Sequence, residues 1–243
     1  MPISKGKSLI IGMGQIGQGL YDVLVPYYKH HLFYRDKEEG CFTTCFNVIN
    51  ICIPYSDNFV DIVNNFVDMY LPELTIIHST VPVGITRKIK SRAVHSPVRA
   101  KHPNIGHGLL LYKKFIGYND EISLHRALEY LSIAMECLPV EKTESTELAK
   151  LLSLAEYGID IAFADYSNKL CQELEVDYDL VRKEWNKTYN EGIKYTKTPW
   201  LQRPILDPPE GIISGHCVRQ NTILLDEQFP SDLLKEVIKV GIK

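Results

Sequence analysis

The chain has 243 residues, of which 45% are apolar and 23% charged, and its formal net charge is −3. This is the balance of a soluble globular protein, and the length suggests one large or two small domains. It excludes a membrane-spanning protein, because no apolar run reaches about 18 residues, and it excludes a small scaffold held by disulfides. No signal peptide precedes the first predicted strand, so we expect a cytoplasmic protein with reduced cysteines.

Strand and helix patterns alternate over the first part of the chain. Apolar runs bounded by glycine or proline predict buried strands, and apolar residues at helical spacing predict the helices between them. Such alternation is typical of a parallel sheet with right-handed crossovers. We therefore predict an α/β, Rossmann-type, doubly wound and mostly parallel sheet in a domain of residues 1–142. The predicted strands are 7–12, 31–35, 46–53, 74–79, 93–95 and 115–117, and the predicted helices are 15–29, 57–69 and 121–136.

The second part of the chain, residues 143–243, is predicted to be a small helical domain with a long central helix. A lone long helix would expose leucine and isoleucine side chains, so we expect a homodimer through residues 145–175. The predicted elements are a proline-free helix at 143–175, helices at 176–189 and 230–242, and an ordered, proline-rich loop at 193–215.

The most specific motif fits G-x-G-x-x-G between a strand and a helix, the setting in which this pattern binds a dinucleotide. The first glycine permits a tight turn, the second lets the backbone approach a pyrophosphate, and the third lets helix and strand pack closely. Asp36 ends the second strand, where an acid accepts hydrogen bonds from the adenosine ribose. Arg35 beside it would suit the 2′-phosphate of NADP, so NAD is expected and NADP stays open. The motif consists of Gly12, Met13, Gly14, Gln15, Ile16 and Gly17.

Two residues after later strands are assigned to the same cofactor site. Pro54 closes the third predicted strand, and Thr80 follows the fourth. Both positions fall at the carboxyl edge, where open α/β sheets bind ligands. The Thr80 hydroxyl would hold the nicotinamide side or a water, or it caps a turn. No metal site is predicted, because the cysteines at 41 and 45 have no second pair.

Charge is unevenly distributed along the chain. No Asp or Glu lies between Glu73 and Asp120, and residues 74–119 carry eight Lys or Arg, so the rest of the chain carries −11. This asymmetry favours an anionic ligand near the basic segment, although a solvated basic face also explains it. Nucleic acid is not expected as the partner, because no DNA- or RNA-binding motif is present.

Five strings of the sequence carry a family resemblance: ICIPYS after the third strand, HSTVPVGIT at 78–86, TELAKLL at 146–152, IAFAD at 161–165 and GIISGHCV at 211–218. They resemble strings of the UDP-glucose/GDP-mannose 6-dehydrogenase family, occur in the family's order and cover nearly the whole chain. The resemblance implies an N-terminal Rossmann domain, a long central helix, and oxidation of a nucleotide-sugar C6 alcohol to a carboxylate through two hydride transfers to NAD.

The resemblance assigns two catalytic residues. Cys217 matches the family's nucleophile; a thiolate that attacks an aldehyde forms a thiohemiacetal, which then yields hydride and a thioester. Lys150 matches the family's catalytic lysine, which would steady an oxyanion or help remove a proton. The residues alone leave open that Cys217 is a small buried side chain and Lys150 a solvated charge.

Three polar positions of the family are changed here. Val98 stands where the family has the glutamate that serves thioester hydrolysis, Leu154 where it has an asparagine, and Asn221 where it has an aspartate. A full four-electron oxidation is therefore not expected. A single alcohol–aldehyde oxidation, a different substrate, or a catalytically silent dinucleotide-binding protein that senses or scaffolds all stay open.

A basic string follows the changed glutamate position. Arg99, Lys101 and His102 occupy it, and we predict that they bind an anionic substrate such as a nucleotide sugar. A solvated loop is the alternative. This prediction is linked to a second one, that the chain is a short form lacking the C-terminal domain with which longer relatives grip the nucleotide.

Overall fold

The computed structural model describes residues 6–37, 42, 44–210 and 216–240. The chain falls into two compact units, Met1–Lys150 and Leu151–Lys243. The domain boundary predicted from the sequence lies between residues 142 and 143. The roles given to the two domains, cofactor binding for the first and dimerisation for the second, remain predictions. Within the described part of the chain, no helix is both long and apolar enough to cross a membrane.

The first unit is built on one seven-stranded sheet. Its strands are β1 (Ser8–Ile11), β2 (Leu32–Arg35), β3 (Val48–Ile51), β4 (Leu74–Ile77), β5 (Ala93–His95), β6 (Lys114–Tyr118) and β7 (Cys137–Glu141). They lie in the order β2-β1-β3-β4-β5-β6-β7. The first five are parallel, β6 is antiparallel to β5, and β7 is parallel to β6. The predicted α/β class with a mostly parallel sheet is confirmed.

Both faces of this sheet are buried, which explains why its central strands are continuous apolar runs. Successive side chains of a strand point to opposite faces. Ile10 therefore joins the core cluster that contains Leu20 of the first helix. Leu9 and Ile11 join a second core cluster on the opposite face, which contains Phe59 of the second helix. The helices are α1 (Gln15–Tyr28), α2 (Phe59–Tyr70), α3 (Ile105–Leu111), α4 (Glu121–Leu131) and α5 (Thr143–Glu173), of which α5 reaches Lys150 within the first unit.

In the first unit, one helix, one strand and one strand direction were not predicted from the sequence. The α3 sequence contains two glycines, which weaken helix propensity, but Ile105 and Leu109 are buried in the core beside α1 and stabilise the helix. β7 contains Pro139, which a sheet tolerates at its edge, and β7 is the edge strand. The reversal at β6 follows from the α3 segment, which returns the chain to the carboxyl edge before β6 begins.

The second unit is helical, and the predicted long helix is confirmed as α5. Val218 and Val237 form a small core with Ile159 of α5. The predicted proline-rich loop is held by side chains, since the Asn186 amide donates to the carbonyl of Pro204 at 2.8 Å. The other elements of this unit are a π-helical turn (Asp179–Glu184), α6 (Trp185–Ile193), a 3-10 turn (Pro199–Leu201), α7 (His216–Gln228) and α8 (Asp232–Lys239).

Candidate functional site

The G-x-G-x-x-G loop joins β1 to α1, and its local geometry explains the glycines. Gly12 has a φ of 94°, and a Cβ there would lie 2.9 Å from the Ile53 side chain. A Cβ on Gly17 would lie 1.9 Å from the carbonyl oxygen of Gly12, so a side chain would break this close contact of helix and strand. A Cβ on Gly14 would meet no atom within 4 Å. The start of α1 therefore has open space beside it for a ligand.

The two charged residues at the end of β2 point to different partners. Asp36 Oδ1 accepts a hydrogen bond from the backbone N–H of Met13 at 3.3 Å, so this carboxylate lies against the glycine loop. The Arg35 guanidinium lies 5.1 Å from the Phe66 ring centroid and donates to the Tyr70 hydroxyl at 2.5 Å. Arg35 is thus engaged by α2, while Asp36 lies where a dinucleotide ribose is expected.

A cavity of about 540 Å³ opens beside the glycine loop, within the size range of small-molecule sites. Its wall is formed by the loop, by α1, and by the start of α3 with the residues before it. Gly14, Gln15 and Asp22 contribute from the loop and α1, Asn104 lies just before α3, and His107 lies within α3.

The three basic residues predicted to bind substrate are not gathered at one point. The His102 ring contacts the side-chain oxygen of Gln15, at the first residue of α1. The Arg99 guanidinium lies 5.3 Å from the ring centroid of Phe115 and 5.7 Å from that of Tyr112. Lys101 is exposed. Of these three residues, His102 is therefore the one that the structure places at the predicted cofactor loop.

Pro54 and Thr80 follow β3 and β4, which are parallel neighbours, and so lie at the carboxyl edge of the sheet. The Ser79 hydroxyl donates to the carbonyl oxygen of Ile53 at 2.5 Å and ties the two strand ends together. Thr80 is half-buried, while Pro54 is exposed. Their contact with a cofactor remains a prediction.

Lys150 reaches the end of β5 at the same edge. Its Nζ donates to the carbonyl oxygen of Val98 at 2.9 Å. The Val98 side chain, in place of the family's glutamate, is 5% exposed and packs in the apolar core. This position therefore meets Lys150 through its backbone, and its side chain offers no proton carrier.

A second lysine, Lys114, is buried beside the same turn and was not singled out from the sequence. It is 2% exposed. Its ammonium donates to the carbonyls of Ser96 at 2.5 Å and Pro97 at 3.1 Å, and lies 3.1 Å from Nδ1 of His78. His78 Nε2 lies 3.0 Å from Oδ1 of Asn50. Nδ1 of His78 also lies 2.9 Å from the carbonyl oxygen of Ser96, so the tautomer decides whether Nδ1 donates to Ser96 or accepts from Lys114.

Burial controls the protonation of this cluster. It lowers the pKa of Lys114 to about 7, with the nearby Lys150 charge acting in the same direction. It lowers the pKa of His95 to about 3 and that of His78 well below its ordinary value. His95 is satisfied as a neutral ring, since Nε2 faces the carbonyl of Ser79 at 3.1 Å and Nδ1 faces the hydroxyl of Thr146 at 2.8 Å.

Glu147, next to Thr146 in the string TELAKLL, fixes the segment that follows β4. Its buried carboxylate accepts the backbone N–H groups of Gly84 at 2.6 Å and Thr86 at 2.8 Å. Burial raises the pKa of this carboxyl, and the hydrogen bonds oppose the rise. The start of α5 thus anchors two strand ends and carries Lys150 to the carboxyl edge.

Cys217 belongs to the second unit, in the first turn of α7, and is exposed. Asn221 donates to its backbone carbonyl at 2.6 Å. The glycine segment 211–215, which precedes it in the predicted motif, lies outside the described residues. The second unit also contains a cavity of about 400 Å³ lined by Arg182 and Arg203. Throughout residues 6–37, 42, 44–210 and 216–240, no cluster of three or more His, Cys, Asp or Glu is arranged to hold a metal.

Comparison with known proteins places the fold among dehydrogenases. No protein-family model and no curated relative matches the sequence. The chain is similar to the UDP-D-ManNAc dehydrogenase of Pyrococcus horikoshii (TM-score 0.75, 17% identity, 97% of this chain and 68% of that one). It is also similar to a UDP-glucose dehydrogenase of Pyrobaculum islandicum (0.69, 15%, 97% and 68%). A third similar structure is the 3-hydroxyisobutyrate dehydrogenase of Mycobacterium tuberculosis (TM-score 0.67, 13% identity). The match covers 96% of this chain and 91% of the dehydrogenase chain.

These similarities confirm, at the level of the fold, the resemblance to nucleotide-sugar dehydrogenases that the motifs indicated. At 13 to 17% identity they establish the architecture and leave the reaction to be argued from the site. The chain spans about two thirds of the length of the UDP-sugar dehydrogenases and most of the length of the hydroxyisobutyrate enzyme.

Proposed function

We propose that the chain binds NAD at the glycine loop and acts as an NAD-dependent oxidoreductase on a CH–OH group. The observation that carries the proposal is the open space at Gly14 beside the start of α1, next to a cavity of about 540 Å³. Backbone N–H groups at a helix start bind a pyrophosphate. Asp36, held against Met13, would accept the hydroxyl groups of the adenosine ribose.

Two contacts support NAD over NADP. A 2′-phosphate needs a cation in place of the ribose-binding acid, and the nearest candidate by sequence, Arg35, is engaged by Phe66 and Tyr70. Titration with NADH and NADPH, followed by nucleotide fluorescence, is expected to give the tighter binding for NADH. Asp36→Ala should weaken NADH binding, and Arg35→Met, its matched control, should leave both affinities nearly unchanged. A marked loss of NADPH affinity in Arg35→Met would contradict the assignment.

Lys150, at the carboxyl edge of the sheet, is the proposed catalytic residue. Bound NAD would supply the acceptor for a hydride from the substrate carbon. Lys150, oriented by the carbonyl of Val98, would take the hydroxyl proton or steady the oxyanion that its loss creates. Thr80 would hold the nicotinamide side or a water. Cys217 stays the candidate nucleophile that the resemblance assigned, and the exposure of its side chain supports this role.

A nucleotide sugar is the first candidate substrate, supported by the motif resemblance and by the similar UDP-sugar dehydrogenases. The missing carboxylate at Val98 limits the reaction. A thioester on Cys217 would have no base at this position to activate water. Because such a thioester forms only after a second hydride transfer and would then not be released, we propose that turnover ends with release of the aldehyde, after one hydride transfer.

A small hydroxy acid is the second candidate. It is favoured by the coverage of the hydroxyisobutyrate dehydrogenase, which this chain matches over 91% of that protein's length. Such a two-electron oxidation needs the proton acceptor Lys150 but no thiol. Neither candidate reaction therefore needs Cys217 for turnover, and the substrate that is oxidised separates the two candidates.

One assay separates the candidates. NADH formation is measured with UDP-sugars, GDP-sugars and 3-hydroxyisobutyrate, for the wild type and for Lys150→Met and Cys217→Ser. Lys150→Met should abolish turnover with any substrate. Full turnover in Cys217→Ser refutes a thiol mechanism, and NADH formation with a nucleotide sugar or with 3-hydroxyisobutyrate decides between the two candidates. NAD binding without turnover on the whole panel favours the silent dinucleotide-binding alternative.

We also propose a homodimer through α5. Five large apolar or aromatic side chains on this helix are at least 39% exposed: Leu152, Tyr157, Phe163, Tyr166 and Leu170. Exposed apolar patches of this kind mark interfaces. Light scattering at micromolar concentration should give the mass of two chains, and Phe163→Asp should give one. A monomeric wild type removes this proposal and leaves the cofactor site untouched.

A further inference from the structure

The segment that crosses the glycine loop is fixed in place by the packing of α3 on α1. Ile105 is buried in the apolar core. Gly19 lets α3 approach closely, since a Cβ on Gly19 would lie 2.7 Å from Cβ of Ile105. The same packing holds His107 in the wall of the cavity, and the His102 ring contacts Gln15 at the start of α1. His102 therefore lies at the start of α1, where the pyrophosphate is proposed to bind, and His107 lies in the wall of the adjoining cavity.

The charges around this place are unbalanced when both imidazoles are neutral. Asp22 lines the cavity, and the Asp36 carboxylate lies against the glycine loop. The described wall of the cavity contains no lysine or arginine. A pyrophosphate diester adds two negative charges to these carboxylates. The other cations of the segment are the exposed Lys101 and Arg99, whose guanidinium lies on the rings of Phe115 and Tyr112.

We propose that His102 and His107 bind the pyrophosphate of the dinucleotide as imidazolium ions, which makes cofactor binding stronger at lower pH. This reassigns His102 from the substrate to the cofactor, and it rests on the proposed cofactor site. Imidazole changes its charge between about pH 5 and pH 8, and a protonated ring donates charge-assisted hydrogen bonds to phosphate oxygens. Protonation of both rings would offset the charges of Asp22 and Asp36.

The test uses ADP-ribose, whose pyrophosphate diester keeps its charge across this pH range, and adenosine as the neutral control. Affinities are measured by calorimetry on the full chain at about pH 8 and about pH 6. ADP-ribose should bind about tenfold more tightly at the lower pH, the factor that one charge-assisted hydrogen bond supplies at its lower limit. Adenosine binding should not change. His102→Gln and His107→Gln should each reduce the dependence, and the double variant should remove it. His30→Gln, on an exposed histidine, is the matched control and should keep it.

Each result bears on a different claim. ADP-ribose binding that is independent of pH, or a double variant that keeps the full tenfold dependence, overturns the role of the two histidines and leaves the cofactor site intact. Absence of ADP-ribose binding at both pH values overturns the cofactor site itself, and with it this inference. A pH dependence that adenosine shares would place the titrating group at the nucleoside and would also overturn the inference.

Discussion

Replacing His95 with glutamine is expected to make the first unit less sensitive to acid. His95 is fully buried and its pKa is lowered to about 3 from an ordinary value of 6.5, mainly by burial. Between these two pH values the unfolded chain holds a proton on this residue that the folded chain does not. Stability from the neutral ring is therefore complete above pH 6.5 and is lost as the pH falls toward 3.

The size of the effect follows from that window. Each pH unit within it lowers the free energy of unfolding by about 1.4 kcal/mol. The unfolded residue is half protonated at pH 6.5, so acidification from about pH 6.5 to about pH 4.5 costs about 2.3 kcal/mol through His95 alone. His95→Gln lacks this titration, and its amide N–H replaces the donor to Ser79. The variant should lose about 2.3 kcal/mol less than the wild type over this interval, whatever its stability at neutral pH.

The assay must report on the first unit. Both tryptophans, Trp185 and Trp200, lie in the second unit, so their fluorescence is unsuitable. Urea titrations followed by hydrogen-exchange mass spectrometry of peptides from β4 and β5 give the local free energy of unfolding. His125→Gln, on the exposed side of α4, is the matched control and should keep the wild-type slope. An equal loss on acidification in wild type and His95→Gln would refute the reasoning.

Two further predictions concern the glycine loop and α5. Gly17→Ala should lower the free energy of unfolding by about 1–3 kcal/mol, because its Cβ would meet the carbonyl of Gly12. Gly14→Ala should leave stability unchanged in urea titrations and weaken NADH binding, and equal behaviour of the two variants would contradict their separate roles. Glu147→Gln keeps one acceptor for two backbone N–H groups and should cost about 1–3 kcal/mol. Unchanged thermal stability at neutral pH would argue against this anchoring role.

The sequence was sufficient to predict the strand, turn and helix that form the glycine loop, because each of these features is local. A strand, three glycines and a helix start follow one another, and Asp36 ends the next strand. The resemblance also singled out Lys150, which the structure places near the end of β5, since α5 is one regular helix from Thr143 onward. Its role there remains a prediction.

The buried cluster was less accessible, because its partners are backbone carbonyls from a distant turn. Lys113 and Lys114 look alike in sequence, yet Lys113 forms an exposed ion pair with Glu136 while Lys114 is buried. Strand alternation offered one signal, since Lys114 shares a face of β6 with the buried Ile116. The carbonyls of Ser96 and Pro97 carry no sequence signature, so no pattern could indicate them.

The buried chain from Lys114 through His78 and Asn50 has a consequence for how this protein tolerates mutation. Asn50 donates onward to the Tyr130 hydroxyl at 3.0 Å, so four side chains satisfy one another in sequence. Removing one of them takes a partner from its buried neighbour, and leaving a buried polar group unsatisfied costs more than the lost bond. Replacing Lys114, alone or with the others, also takes the ammonium away from the carbonyls of Ser96 and Pro97. Apolar substitutions here should therefore be deleterious both singly and together. Homologous chains should carry these four positions as an inherited polar block, with mixed combinations rare.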